Sequence, residues 1–463
     1  MNNFNVFIRF GLLCIWSLLA GLPPASAQVG AEKLQAGAAR RELVPPFLTR
    51  MPGYFDRTDT FIGVESPICA RSLVCDNGET RLAIVATDLI GVPRELVEEV
   101  RAIVEGNTGI PRENILVSAS HNHSAVAGYQ PRFMFGAPYD PLLYDFLLTE
   151  ISQSILDANE NLKPARIGFG SGELVGFSRN RQQGNDLVVD PEVGVLKIQE
   201  ADSREPIATL FNFTGHPVVL GESNLYLSSE YPGHAERMVE EVLGGVAMFT
   251  QGACGDVTVQ RQGPPMEEIQ RLGRILAAEV IKTSEMTQAV HDNRLFSKFE
   301  EVRVGLRNLP SGEEAQRLFD NSDEAFKNAK ESHSSEKELN RLERQRDSDE
   351  MTLHLVQFLS DKPRAQEKAA QASVHVMQVG PLILVGIPGE LFVEYALEMK
   401  QRVRELRDQP MMVVGFANDY IGYIVTPRAI YTGGYEQSVT RVDSNAGRLL
   451  TESAMRIVED SIE

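Results

Sequence analysis

The chain has 463 residues, 43% hydrophobic and 24% charged, an ordinary globular composition with enough length for a large core or for two to three domains. Acidic residues outnumber basic ones by 64 to 45, a net charge of -19, which argues against a nucleic-acid partner held through phosphates and against an anionic membrane surface.

The first 27 residues predict a secretory signal. Arg9 supplies a positive end, Phe10 to Leu22 an apolar core, and Ala25-Ser26-Ala27 a small-residue cleavage site. A mature chain beginning near Gln28 is therefore expected, exported to a periplasm or the exterior, with an uncleaved short anchor as the alternative. No later run is long enough to span a bilayer. Removing the signal leaves Cys69, Cys75 and Cys254, an odd count that argues against a disulfide framework.

From Gln28 to about Val64, Pro45-Pro46 and Met51-Pro52-Gly53-Tyr54 predict turns rather than regular structure. Residues 68–75 and 81–87 predict two strands joined by a hairpin at Asp76-Asn77-Gly78-Glu79, with Asp88 directly after the second. Leu96, Val97, Val100, Ile103 and Val104 share one helical face, Gly106 is read as its stop, and residues 115–119 resume as a strand. That is a strand, helix, strand unit with polar chemistry at a strand end, where open α/β sheets place their sites.

A second helix is expected over 142–162, strands over 194–199 and 208–213, a helix from near Pro232, a strand over 246–250 and an amphipathic helix over 267–284. Residues 311–361 change character, with Glu, Lys, Arg, Asp and Ser dominating and sparse Leu and Phe at helical spacing. They predict an inserted helical hairpin whose charge is a solvated face, a partner-binding arm being the lesser option. Strands return over 374–379 and 382–387, followed by a helix over 391–406, a strand over 411–417 and a last helix from about Asn445. The fold class expected is α/β, layered mixed sheets flanked by helices, with one domain over 28–463.

Several polar groups share one placement just beyond an apolar strand: Asp88, His121 with His123, His216, the Gly255-Asp256 turn, Glu390, and Tyr420 with Tyr423. On extended backbone two imidazoles two residues apart point the same way, so the pair His121 and His123 suits one metal ligand plus one proton-transfer group. Asp88 is read as fixing loops through hydrogen bonds, and His234, in the first turn of its helix, as structural.

Five motifs occur in order: Ser120-His121-Asn122-His123-Ser124, Asn212-Phe213-Thr214-Gly215-His216-Pro217, Gly252-Ala253-Cys254-Gly255-Asp256-Val257-Thr258, Ile387-Pro388-Gly389-Glu390, and Asn418-Asp419-Tyr420 through Tyr423-Ile424-Val425-Thr426. In these the chain resembles the neutral and alkaline ceramidases, and the resemblance covers most of the mature sequence, as the N-terminal catalytic domain of that family. It implies a zinc amidohydrolase that splits the N-acyl amide of ceramide or a related lipid amide with metal-activated water. Carried over by motif, the zinc ligands are His121, His216, Glu390 and a tyrosine placed at Tyr423, with Tyr420 as the alternative and otherwise a substrate contact. His123 is the implied proton shuttle. Arg179, with Arg181 as the alternative, is the candidate for the developing oxyanion or a polar head group; Thr258, where the family carries its serine, is a further catalytic candidate, and Asp256 shapes the substrate site around it.

The chain departs from the family where Gly-Asp-Val-Ser-Pro-Asn is replaced by Gly255-Asp256-Val257-Thr258-Val259-Gln260 and where Ala125-Val126 replaces Gly-Pro after the histidine pair. An unactivated threonine is a poor nucleophile, which favours metal-activated water over an acyl-enzyme at Thr258. Two further readings stand beside the first: a zinc hydrolase of a smaller amide or ester, and a binding protein of the same fold that has lost catalysis.

Overall fold

The segment Arg81–Thr87 reads Arg-Leu-Ala-Ile-Val-Ala-Thr, apolar on both faces, the pattern of a strand covered on both sides. In the computed structural model, which describes residues 34–54, 57–130, 137–182, 187–360 and 369–461, this strand lies inside an eight-stranded mixed sheet. The signal expected over the first 27 residues lies outside the described residues. The spatial order of the sheet is Val246–Gln251, Pro206–Phe213, Glu192–Glu200, Lys163–Glu173, Gln35–Glu42, Cys69–Asp76, Arg81–Thr87 and Ile115–Ala119. Only the two outermost pairs are parallel. Each needs a crossover, supplied by helices Glu230–Leu243 and Arg94–Thr108.

A second, four-stranded sheet orders Leu295–Gly305, Ala369–Val379, Leu382–Gly386 and Met411–Val414, with a parallel last pair. Period-two alternation decides what each strand faces. Leu82, Ile84 and Ala86 join Leu382, Leu384, Met412 and Val414 in a core shared between the sheets. Ala83 and Val85 point the other way, onto Val97, Val100, Leu147 and Ile151 of the helices Arg94–Thr108 and Pro141–Glu160. Helices Glu230–Leu243 and Pro265–Met286 cover the rest of that outer face, and Val393–Arg407 and Ala446–Asp460 cover the smaller sheet. The result is a four-layer α/β/β/α arrangement of mixed sheets flanked by helices.

By sheet topology the outermost strands Ile115–Ala119 and Val246–Gln251 run in opposite senses. Their C-terminal ends nevertheless lie together, the larger sheet bringing its two edges to one place. There Gln251 Nε2 donates to Ser120 O at 3.1 Å. The smaller sheet is stitched to the same place by Asn418 N to Val117 O at 2.7 Å, Ala119 N to Phe416 O at 3.2 Å and Gly415 N to Gln251 O at 2.9 Å.

Several boundaries differ from expectation for local reasons. Gln35–Glu42 is a strand rather than turns, although its Gln-Ala-Gly-Ala-Ala-Arg-Arg-Glu lacks every strand-favouring residue; pairing with Cys69–Asp76 over its whole length decides it. Lys163–Glu173 and Leu295–Gly305 are strands the pattern did not announce. In the former, Gly168, Gly170 and Gly172 recur at alternate positions because the C-terminal end of helix Pro265–Met286 presses on them. The helix from Arg94 runs through Gly106 to Thr108 and is closed by Gly109, whose φ of 75° is the left-handed cap glycine adopts freely. The strand at Met411 ends at Val414 rather than 417, since the following residues leave it to bridge to the larger sheet.

Helices Gly312–Glu331 and Glu336–Ser360 pack on one another through Ala315, Leu353 and Val356, with Leu309 and Phe319 alongside. Cys69, Cys75 and Cys254 are free and buried. His375, buried between the smaller sheet and Asn418, has Nδ1 3.1 Å from Asn418 Nδ2 and Nε2 2.9 Å from Ser297 Oγ.

Two outcomes follow. A Cβ at Gly170 would lie 2.1 Å from Thr287 Oγ1, so Gly170→Val should lower stability by about 1–3 kcal/mol in denaturant titration; an unchanged midpoint would show that the helix end can yield. His375 is held at about 3, from 6.5, by burial and then by the Arg101 charge. The unfolded chain therefore binds this proton first, and the stability the neutral ring contributes is complete above pH 6.5 and lost as pH falls toward 3. His375→Gln keeps a donor and an acceptor and should flatten the acid loss by about 1.4 kcal/mol per pH unit through that window. Parallel stability curves for the two proteins would exclude His375 as a source of the acid sensitivity.

Candidate metal centre

The strand Ile115–Ala119 delivers the chain to His121, which takes φ 64°, a left-handed conformation costly for a residue with a Cβ. The neighbouring peptides hold it there: Ser120 N donates to Thr87 O at 2.9 Å and Asn122 N to Leu89 O at 3.0 Å. Asn122 completes the turn, its amide donating to Ser228 O at 2.6 Å and its oxygen accepting from Ser124 N at 2.8 Å. The two rings lie together as expected, His121 Nε2 and His123 Nε2 being 3.2 Å apart, but a tight turn brings this about rather than an extended strand.

His216 follows the strand Pro206–Phe213, and Glu390 follows Leu382–Gly386, so three strand ends from two sheets supply one cluster. His216 Nε2 is 3.0 Å and His121 Nε2 3.4 Å from Glu390 Oε2. Among the described residues, His121, His216 and Glu390 form a group whose ligand atoms all lie within 4.8 Å of one another, and all three are buried. The far ring nitrogens are spoken for: His121 Nδ1 lies 2.8 Å from Ile90 O and His216 Nδ1 3.0 Å from Val257 O. A carbonyl can only accept, so each Nδ1 carries the proton and each Nε2 presents a lone pair to the cluster. This donor set, two neutral imidazoles and a carboxylate with oriented outer partners, fits a divalent cation such as zinc.

Electrostatics favour the neutral rings. Burial, ahead of the opposing pull of Glu390, lowers His121 to about 4, and burial likewise drops His123 and His216 well below 6.5, with His121 adding to the effect on His123 and Arg181 to that on His216. All three rings are neutral at pH 7. Tyr420 and Tyr423 are raised well above 10 by burial and by the Glu390 charge, so both are phenols until a cation offsets that charge.

The two tyrosines divide their tasks. The Tyr420 hydroxyl donates to Glu390 Oε1, the oxygen turned away from the histidines, while Tyr423 OH accepts from Arg181 Nη2 at 3.4 Å. Arg181, rather than Arg179, is the arginine beside the cluster: it donates to Gly255 O at 2.6 Å and pairs with Glu436 Oε1 at 3.0 Å. Arg179 is exposed on the short strand Ser178–Asn180 and meets Thr258 through backbone pairing. Thr258 is also bridged to His216 along the backbone.

Both carboxylate oxygens of Asp256 accept from the protein itself. Oδ1 accepts from Val393 N at 2.9 Å, the first amide of helix Val393–Arg407, and Oδ2 accepts from the Asn180 amide at 2.7 Å. It closes a helix N-terminus from a distant segment and braces the Arg181 loop, and burial pushes it up to about 6. Asp88 is a strut of similar kind, accepting from Cys69 N at 2.8 Å and from Arg71 Nη1 at 2.9 Å.

Four neighbours of the cluster were not singled out by sequence. Gly53, at φ 92°, passes so close to His123 that a Cβ would lie 2.1 Å from its Nδ1. Tyr54 sets its edge on the same ring at 5.3 Å between centroids. Arg57 donates to Pro52 O and His123 O, and to Asn224 O at 3.1 Å, drawing three loops together. Phe416 stacks on His121 at 4.2 Å and 17°. The Pro52-Gly53 turn was visible as a turn; that it backs an imidazole was not, because the partner is many residues away.

Comparison with known proteins bears on the family and the fold. Residues 45–325 match the family described as neutral/alkaline non-lysosomal ceramidase, N-terminal. The chain is 22% identical to neutral ceramidase A of Dictyostelium discoideum, over 85% of this chain and 67% of that protein. It is 27% identical to neutral ceramidase of Pseudomonas aeruginosa over 45% of this chain, and this match spans about a third, 34%, of that relative's length. The crystal structure of neutral ceramidase from Pseudomonas aeruginosa superposes with a TM-score of 0.75 at 20% identity, covering 92% of this chain and 75% of that one. With more than half of its length inside the matched region, and with that fold, the chain belongs to the neutral/alkaline non-lysosomal ceramidase family.

Proposed function

We propose that the protein hydrolyses the N-acyl amide of ceramide or a closely related lipid amide, with zinc held by His121, His216 and Glu390 and with Tyr423 as the fourth donor. The observation that carries this reading is the meeting of two imidazoles, each with Nδ1 on a backbone carbonyl, and one carboxylate in a buried cluster, in a chain of the ceramidase family. Tyr420 is committed to Glu390, which orients the carboxylate and leaves Tyr423 to complete the set. Zinc bound there would polarise the amide carbonyl and acidify a water.

The protein's own groups do the rest. His123, neutral and with Nε2 beside His121, takes the proton from water as the C–O bond forms and delivers it to the amine nitrogen as the C–N bond breaks. Arg181 keeps a positive charge beside Tyr423 and meets either the developing oxyanion or a polar head group. No described helix is long and apolar enough to cross a membrane. We read the chain as exported, with cleavage before Gln28, which N-terminal sequencing of secreted material would verify.

The test is mass-spectrometric detection of fatty acid released from ceramide by the metal-stripped and zinc-restored protein. Zinc-dependent release is expected, and full release from rigorously metal-free protein would overturn the mechanism. His121→Ala should abolish both zinc retention and release. His123→Ala should keep zinc while lowering turnover by about 10²–10⁴-fold; loss of the metal from that variant would make His123 a ligand instead of a shuttle. No release from folded, zinc-loaded protein would retire ceramide as the substrate.

A further inference from the structure

Gln251 ends the strand Val246–Gln251 fully buried, and every hydrogen-bonding position of its side-chain amide is used. Nε2 donates to Ser120 O at 3.1 Å and to Gly215 O at 2.9 Å. Oε1 accepts from Gly215 N and from Gly252 N, each at 3.1 Å. Ser120 and Gly215 are the residues that immediately precede His121 and His216. A peptide unit is planar, so fixing the Ser120 carbonyl fixes the same plane that carries the His121 N–H, and fixing the Gly215 carbonyl does so for His216. The Gln251 main-chain oxygen accepts from Gly415 N at 2.9 Å, next to the Phe416 ring that stacks on His121.

We infer that Gln251 is a positioning residue that sets the spacing of the two histidine loops and thereby the affinity of the His121, His216 and Glu390 cluster for its metal. It touches none of the ligand atoms and acts only through the backbone on either side. The inference rests on the zinc reading of the cluster. It adds to that reading a residue outside the donor set whose amide, and not its bulk, determines how well the donors converge. A carboxylate of the same shape serves badly: one oxygen keeps the two N–H groups, but the other is set against two carbonyl oxygens that need a donor. Asn212 supplies the comparison, a buried amide on the adjacent strand that donates to Thr250 O and to Val413 O, each at 3.0 Å, and joins the two sheets without bonding to either histidine loop.

The experiment measures the zinc dissociation constant of the full-length wild type, Gln251→Glu and Asn212→Leu by competition with a chromophoric chelator, alongside the melting temperature of each metal-free protein. Gln251→Glu is expected to bind zinc about 10–100-fold more weakly, whereas Asn212→Leu is expected to melt earlier yet bind as the wild type does. Should Gln251→Glu fail to fold, Gln251→Asn keeps the amide but is too short to bond both loops, and the same weakening is expected. Wild-type affinity in a folded Gln251 variant, or equal weakening in Asn212→Leu, would overturn the inference and leave the zinc reading intact. Zinc bound by none of the proteins, the wild type included, would remove the zinc reading and this inference with it.

Discussion

The structure depends on keeping two imidazoles neutral and facing one carboxylate where water does not reach. Each ring is held by a carbonyl on its outer nitrogen, and each carbonyl belongs to a different segment, Ile90 for His121 and Val257 for His216. Burial alone would leave three polar groups in a costly environment. Only because the far side of each ring is satisfied does the cluster present lone pairs inward, the arrangement that suits a cation.

Around that cluster the two sheets act as one support. The edges of the larger sheet meet at a common end, and the smaller sheet delivers Glu390 and both tyrosines to the same end through parallel strands. The strained backbone gathers here too, at His121, Phe416 and Asn418, all with positive φ and none of them glycine. Backbone of that kind persists where surrounding hydrogen bonds over-determine it, as they do between Asn418 and Val117 from both directions.

Two sets of contacts sharpen the chemistry. Asp256, two residues before the candidate Thr258, accepts from protein N–H groups on both carboxylate oxygens and braces the scaffold. Arg179 and Arg181 cannot be told apart by composition; the short strand that pairs Arg179 with Thr258 leaves the former exposed and sends the chain to Arg181 beside Tyr423 and Glu436.

Local pattern makes most of the secondary structure legible in the sequence. Apolar runs such as Arg81–Thr87 and Ile115–Ala119 announce buried strands, and His121, His216 and Glu390 are among the polar groups that follow such runs, singled out from the others by the family motifs they sit in. Strands whose residues lack that pattern, Gln35–Glu42 and the glycine-bearing Lys163–Glu173, became strands only because partners and a helix end pack on them. The same holds within the site. Tertiary structure alone decided that Tyr420 orients Glu390, that Gly53 backs His123, and that Gln251 joins the two histidine loops, since each contact is between residues far apart in the chain and is set by distances no linear spacing encodes.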